Sequence, residues 1–201
     1  MPARVAGVLL AAGDGSRLGQ PKALVRLGGQ SLASRGAAML RAGGADPVIV
    51  VTGAAAVSMP DALTVHNPRW RTGMGSSFGA GLAAVPADCA AAVVALADQP
   101  LVGAAAVQRL ISAFARGATV AVACYDGQPR NPVLLAREHW QRATELAVGD
   151  VGARPFLRAH PRLVTLVDCG DTGQPDDIDT AEDLARVAAR LGKERGVPDQ
   201  K

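Results

Sequence analysis

Apolar residues in this chain come in short dense runs, separated by stretches rich in glycine, proline and charge. Residues 5–11, 47–51 and 90–97 are almost wholly apolar blocks of strand length. Unbroken rather than alternating hydrophobicity is what a strand covered on both faces requires. Between the blocks lie longer segments with helical spacing. Ser31 can cap a helix over residues 32–41 that Gly43-Gly44 stops. Further helices are predicted over 76–84, 104–115, 137–146, 153–158 and 180–191. Further strands are predicted over 63–65, 119–124, 132–135 and 163–167.

Strands alternating with helices predict an α/β fold of three layers, Rossmann-like, with a mostly parallel sheet between two sets of helices. In such sheets ligands bind beyond the carboxyl ends of the strands. Three polar junctions follow strands here: residues 13–22, 98–100 and 168–179. They are expected to converge on one edge. No repeat or linker interrupts the pattern, so residues 1–192 read as a single domain and 193–201 as a flexible polar tail.

Composition narrows the function classes. Of the 201 residues 49% are hydrophobic but only 3% aromatic, so Ala, Val and Leu must build the core. The net charge is +3, and the basic residues are scattered with no run of four. Neither that nor two Trp and one Tyr suits a nucleic-acid surface; a small anionic substrate suits it better. Lys22 is the one lysine outside the C-terminal stretch, where Lys193 and Lys201 lie; every other basic residue is arginine. Cys89, Cys124 and Cys169 are odd in number and far apart, which points to packing roles in a reducing, cytoplasmic compartment. No run approaches the roughly 18 apolar residues of a membrane span. The apolar block near the start runs into a glycine-rich loop rather than a cleavage pattern, so no leader is expected.

Four segments carry candidate chemistry. The first is Leu10-Ala11-Ala12-Gly13-Asp14-Gly15-Ser16-Arg17-Leu18-Gly19-Gln20-Pro21-Lys22. Its glycines let backbone N–H groups approach phosphate oxygens, and Arg17 and Lys22 add positive charge. Walker A spacing is excluded, because two residues separate Gly19 from Lys22 and Ala23 follows. A dinucleotide fingerprint is excluded too, because the sixth position counted from Gly13 is Leu18. The second is Asp98, directly after a buried strand and before Gln99-Pro100. An acid there suits a Mg²⁺ ligand; capping the next helix is the plainer alternative. The third is Asp176-Asp177-Ile178-Asp179-Thr180, ahead of Glu182-Asp183. One of Asp179 and Thr180 suffices to cap the last helix, which leaves Asp177 or Asp179 for the metal. The fourth, Gly73-Met74-Gly75-Ser76-Ser77-Phe78-Gly79, contains the Gly-x-Ser-x-Gly spacing of a nucleophile elbow centred on Ser77. A serine hydrolase would also need a buried strand before Gly73, and the preceding residues are polar with a proline. Ser76 and Ser77 read instead as hydroxyls at a helix start, available to a nucleotide.

Taken in order, these segments resemble the molybdenum cofactor nucleotidyltransferases, and most closely their cytidylyltransferase branch. The carriers are the opening segment at 10–22, N-P-x-W-x-x-G-M-G-S-S at 67–77, A-D-Q-P at 97–100, G-D-x-G-A-R at 149–154 and D-I-D-T-x-E-D-L at 177–184. The resemblance implies a Rossmann-like sheet of the glycosyltransferase-A nucleotidyltransferase type. It implies Mg²⁺-dependent transfer of CMP from CTP to molybdenum-molybdopterin with release of pyrophosphate. Arg17, Lys22 and Asp98 would be catalytic, and Asp98 with Asp177 or Asp179 would hold the metal. Leu10, Ala11, Ala12, Gly13, Gly15, Ser16, Asn67, Gly75, Ser76 and Ser77 would bind the nucleotide. Arg130, Asn131, Asp150 and Arg154 would face the acceptor. Ala12, where the guanylyl branch has glycine, tilts the base toward cytosine. Relatives carry Gly-His-Pro-Val where this chain has Arg130-Asn131-Pro132-Val133, and often Lys in place of Val151. Transfer of GMP or another nucleotide to a different acceptor stays open. So does a non-catalytic accessory role, handing cofactor to a molybdoenzyme or acting with an insertion chaperone.

Overall fold

A computed structural model describes residues 3–195. Seven strands form one sheet in the order β5-β4-β1-β6-β8-β7-β9. They are β1 (Arg4–Ala11), β4 (Val48–Thr52), β5 (Leu63–His66), β6 (Cys89–Leu96), β7 (Val120–Tyr125), β8 (Gln128–Ala136) and β9 (Val164–Asp168). All run parallel except β8, which pairs antiparallel with both β6 and β7. A small hairpin, β2 (Arg26–Leu27) and β3 (Gln30–Ser31), stands apart from it.

The three-layer prediction holds, and the side chains of β1 show why. Val5, Leu9 and Ala11 point into one apolar layer, and Ala6, Val8 and Leu10 into the other. The same alternation runs through β4 and β6. The first layer is closed by α1 (Leu32–Ala42) and α3 (Ala104–Ala115), the second by α2 (Met74–Ala83), α4 (Trp140–Leu146) and α5 (Arg154–Ala159). With both faces covered, the central strands have no polar side, hence their continuous hydrophobicity. Phe78 and Phe156, both buried, supply bulk that alanine cannot. Ser31 caps α1 as predicted, its hydroxyl accepting from Ser34 N–H.

Two elements differ from expectation. β8 begins at Gln128, four residues before the predicted strand. Asp126 (φ 50°) and Gly127 (φ 74°) make a tight turn that folds β8 directly back on β7, so a polar, proline-bearing stretch still joins the ladder. The last helix, α6 (Ala181–Arg195), extends beyond residue 192. Residues 196–201 of the expected tail lie outside the described residues.

α6 positions the site rather than the sheet. Val187 packs with Ile178, Val25, Leu27 and Leu32, which draws the segment ahead of α6 against the segment that follows the glycine-rich loop. Among the described residues no helix is long and apolar enough to cross a membrane.

Candidate active site

The glycine-rich loop leaves β1 and folds onto itself. Gly15 (φ 60°) accepts at its carbonyl from Leu18 N–H, 2.7 Å away, and closes a short 3-10 turn over Ser16–Leu18. A Cβ at Gly15 would lie 2.1 Å from the Gln20 carbonyl oxygen, so only glycine lets the loop double back. That fold returns the chain to Pro21 and starts a second 3-10 turn at Lys22.

Lys22 is the centre of the site. Its Nζ donates to Asp98 Oδ2 at 2.7 Å and to Asp179 Oδ1 at 2.6 Å. Arg17 Nη2 lies 3.3 Å from the other oxygen of Asp179. Asp98 comes from the end of β6 and Asp179 from just before α6; Ile178 N–H, donating to the Asp98 carbonyl at 2.8 Å, ties the two segments together. Thus the three polar junctions predicted to converge do meet.

The charges are strongly interdependent. Burial pushes the Lys22 ammonium pKa down, but Asp98 and Asp179 overcome that and leave it raised. Asp179 is held below the usual carboxylate value, chiefly by the Lys22 bond. Asp177 goes the other way: burial raises it, and the charges of Asp98 and Asp179 add to the rise against the relief of a hydrogen bond from Gln99.

Capping and site duties are divided. Thr180 Oγ1 accepts from Asp183 N–H, and Asp183 Oδ2 accepts from the N–H groups of Asp179 and Thr180. Asp183 was not among the predicted functional residues, although Thr-x-x-Asp before a helical segment is a capping-box spacing. Because that pair closes the helix, Asp177 and Asp179 are spared for the site.

Asp98 Oδ1 is buried and has no hydrogen-bond partner. A buried carboxylate oxygen without a donor suits a cation. Among the described residues, no group of three or more His, Cys, Asp or Glu is arranged to hold a metal ion. A divalent cation held by only one or two carboxylates would need further oxygens, which substrate phosphates can supply.

Nearby backbone groups are partly engaged. The Leu10 carbonyl accepts from Ala97 N–H and the Ala12 carbonyl from Ala54 N–H, so these carbonyls are occupied in joining the loop to the strand ends. Asn67 is buried; its amide donates to Ser76 Oγ at 2.8 Å and Ser77 Oγ at 3.0 Å, while its oxygen accepts from Arg69 N–H. Ser76 Oγ is also within bonding distance of the Arg69 and Gly73 carbonyls. These groups fix the start of α2 from within the protein.

The nucleophile-elbow reading fails on this geometry. Ser77 is buried inside α2, its recorded partner is Asn67, and a 3-10 turn over Trp70–Thr72 precedes Gly73 where an elbow needs a strand.

Of the residues expected to face an acceptor, Asp150 accepts from Met74 N–H at the start of α2. A Cβ on Gly75 would lie 1.8 Å from the Ala147 carbonyl oxygen, so the segment before Asp150 packs directly on that turn. Arg130 and Asn131 lie early in antiparallel β8, at the sheet edge where β6 ends. Arg154 opens α5 and is exposed.

The model of the MobA-like NTP transferase domain matches residues 7–164. The chain belongs to the MobA-like NTP transferase family. That match spans the glycine-rich loop, Asp98 and β8. A structure of a Mycobacterium tuberculosis Rv0371c homologue from Mycobacterium sp. strain JC1 superposes with a TM-score of 0.83 at 33% identity, covering 96% of this chain and all of that one. Nicotine blue oxidoreductase of Paenarthrobacter nicotinovorans is 37% identical over 197 residues, 91% of this chain and 96% of that protein. A probable molybdenum cofactor guanylyltransferase of Opitutus terrae is 47% identical over 47 residues, 23% of each chain. The MobA-like domain, the sheet order and the loop make this chain a nucleotidyltransferase enzyme.

Proposed function

We propose that this chain transfers CMP from CTP to molybdenum-molybdopterin and releases pyrophosphate, with Mg²⁺ as cofactor. The observation that carries this reading is the convergence of Asp98 and Asp179 on Lys22, with Arg17 on Asp179 and with Asp98 Oδ1 buried without a partner. The acceptor's phosphate oxygen attacks the α-phosphorus of CTP in line, one P–O bond forms, and the bond to pyrophosphate breaks. The protein's share is positioning and charge stabilisation. Lys22 and Arg17 take up charge growing on the leaving pyrophosphate, and Gly15 sets the loop that carries both. Asp98, with Asp177 or Asp179, would hold the cation, which supplies neutralisation of phosphate charge when bound. N–H groups near Ala11, Ala12 and Gly13 approach the base, where the Ala12 methyl favours cytosine over the larger guanine. Asn67, Gly75, Ser76 and Ser77 shape the start of α2 beside the nucleotide, and Ser16 and Leu10 line the loop. Arg130, Asn131, Asp150 and Arg154 face the acceptor.

The test is pyrophosphate release from each of the four nucleoside triphosphates, with and without Mg²⁺ and with and without molybdopterin acceptor. Release that needs CTP, acceptor and Mg²⁺ together supports the reading. Release with GTP alone would shift the nucleotide and keep the chemistry. Nucleotide-dependent thermal stabilisation without release would favour the accessory role, with a molybdoenzyme or insertion chaperone as partner.

A second reading rests on the relative named an oxidoreductase, whose likeness spans nearly the whole chain. Reduction of a conjugated dye by NADH or NADPH, at a rate independent of CTP, would support it. The absence of dinucleotide-fingerprint spacing after β1 weighs against a nicotinamide site there.

A further inference from the structure

Gln99, next in sequence to Asp98, has no part in the reaction as described above, yet its surroundings are unusual for a glutamine. It is only 7% exposed. Its Nε2 donates to Asp177 Oδ1 at 2.8 Å and to the Pro175 carbonyl at 3.2 Å. The orientation of the amide is unambiguous, because an ionised carboxylate and a carbonyl both accept and so require the NH₂ end. Its Oε1 is buried and unpartnered, as is Asp98 Oδ1.

The three carboxylates of the site are not equivalent. Lys22 bonds both Asp98 and Asp179, and Arg17 pairs with Asp179 as well. Asp179 thus has two cationic partners already. Asp177 is partly open to solvent and makes no ion pair among the described residues; the hydrogen bond to its side chain comes from the neutral amide of Gln99. A divalent cation could engage its carboxylate without displacing a bonded ammonium or guanidinium. The second bond of Gln99, to Pro175, fixes the backbone that leads into Asp177, so one side chain sets both the carboxylate and its approach.

We infer that Gln99 is a positioning residue that holds Asp177, rather than Asp179, beside Asp98 as the second carboxylate for the divalent cation. This rests on the metal-dependent reading proposed above. Gln99 does not touch the reacting atoms; it acts through Asp177. Its unpartnered Oε1 is an acceptor of the kind that metal-bound water donates to. Partners of this indirect sort typically contribute about 10–100-fold to metal affinity or activity.

Mn²⁺ binding to the full chain in the presence of CTP, read by electron paramagnetic resonance, tests the inference without turnover. Gln99→Met is expected to keep the melting temperature close to wild type and to weaken Mn²⁺ binding about 10–100-fold. In an Asp177→Asn background the same substitution is expected to add almost nothing, since coupled residues are non-additive. Unchanged Mn²⁺ affinity in Gln99→Met overturns the inference, as does an equal further loss in the Asp177→Asn background. Should Gln99→Met fail to fold, Gln99→Asn keeps the amide but withdraws it from Asp177, and wild-type Mn²⁺ affinity there is equally fatal. Wild-type protein that binds no Mn²⁺ and releases no pyrophosphate sinks the transferase reading itself. Wild-type binding with an indifferent Gln99 sinks this inference alone.

Discussion

Lys22 Nζ lies 2.7 Å from Asp98 Oδ2, in a pair whose side chains are each about one-fifth exposed (20% and 19%). The same ammonium reaches Asp179, so one lysine neutralises carboxylates from opposite ends of the sequence. On the proposed reading, a triphosphate that draws Lys22 onto its own oxygens leaves Asp98 in need of a cation, while Asp179 keeps Arg17. Phosphate and divalent metal would then favour each other's binding through this lysine.

Replacing Lys22 isolates that effect. Lys22→Met leaves Asp98 and Asp179 without their shared donor, and partly buried charge-assisted bonds of this kind contribute roughly 1–3 kcal/mol. The expected outcome is a loss of that order in urea unfolding without metal. Millimolar Mg²⁺ restores part of it, because the ion takes the place of the ammonium. Wild-type protein gains less from Mg²⁺. Equal gains in both proteins would mean that Lys22 and the metal do not share Asp98.

Asp98→Asn removes the charge and keeps the shape. Lys22 retains Asp179, so the fold and melting temperature are expected to stay near wild type. Mg²⁺-dependent turnover should fall at least about 100-fold, the scale at which a single electrostatic group at a reacting phosphate acts. Steady-state pyrophosphate release with a parallel melting curve checks both halves. Full activity would remove Asp98 from the site.

Much of this was legible in the sequence for physical reasons. Strands buried on both faces must be apolar throughout, so β1, β4 and β6 stand out, and the parallel order that buries them also sends their carboxyl ends to one edge. Asp98 was visible because an acid directly after such a strand needs compensation. What escaped depends on pairing across distance. β8 opens with Gln128-Pro129-Arg130, which reads as loop, although Asp126-Gly127 is a recognised hairpin turn. Gln99 was passed over because no spacing announces that it meets a residue 78 positions away. Asp183 was absorbed into a run of acids, and only its bonds to the backbone of Asp179 and Thr180 separate the capping acid from those at the site.

Acid titration distinguishes those acids. Asp183 is lowered to about 2, first by its bond from Arg186 and then by the helix-start N–H groups. Asp179 is lowered as well, chiefly by Lys22. A lowered folded-state pKa gives stability that is present above the ordinary carboxylate value and lost as pH falls through the folded one. Stability should therefore decline from about pH 4 toward about 2, where Asp183 titrates. Asp183→Asn flattens that decline, and Lys22→Met flattens the part due to Asp179. Asp177, raised by burial, opposes the trend: its contribution is full at low pH and fades as pH rises through its folded value. Unfolding curves between pH 2 and 6 for the three proteins resolve these parts; an unaltered slope in Asp183→Asn would contradict the assignment.

The glycines of the loop separate loop geometry from ligand contact. At Gly15 the φ of +60° and a Cβ placed 2.1 Å from the Gln20 carbonyl mean that alanine must push the loop open. A non-glycine residue in that conformation costs about 1–2 kcal/mol before any clash is counted. Gly15→Ala is therefore expected to lower stability and to displace Arg17 and Lys22, weakening CTP binding and turnover together. A Cβ at Gly13 meets nothing within 4 Å. Gly13→Ala should leave stability within about 1 kcal/mol of wild type, so a loss of CTP affinity in that variant would come from contact between the new methyl and the nucleotide. Calorimetric CTP titration alongside urea unfolding makes the comparison. If Gly13→Ala binds CTP as wild type does while Gly15→Ala does not, the loop serves to carry its cations, and the base or phosphate does not approach the backbone at residue 13.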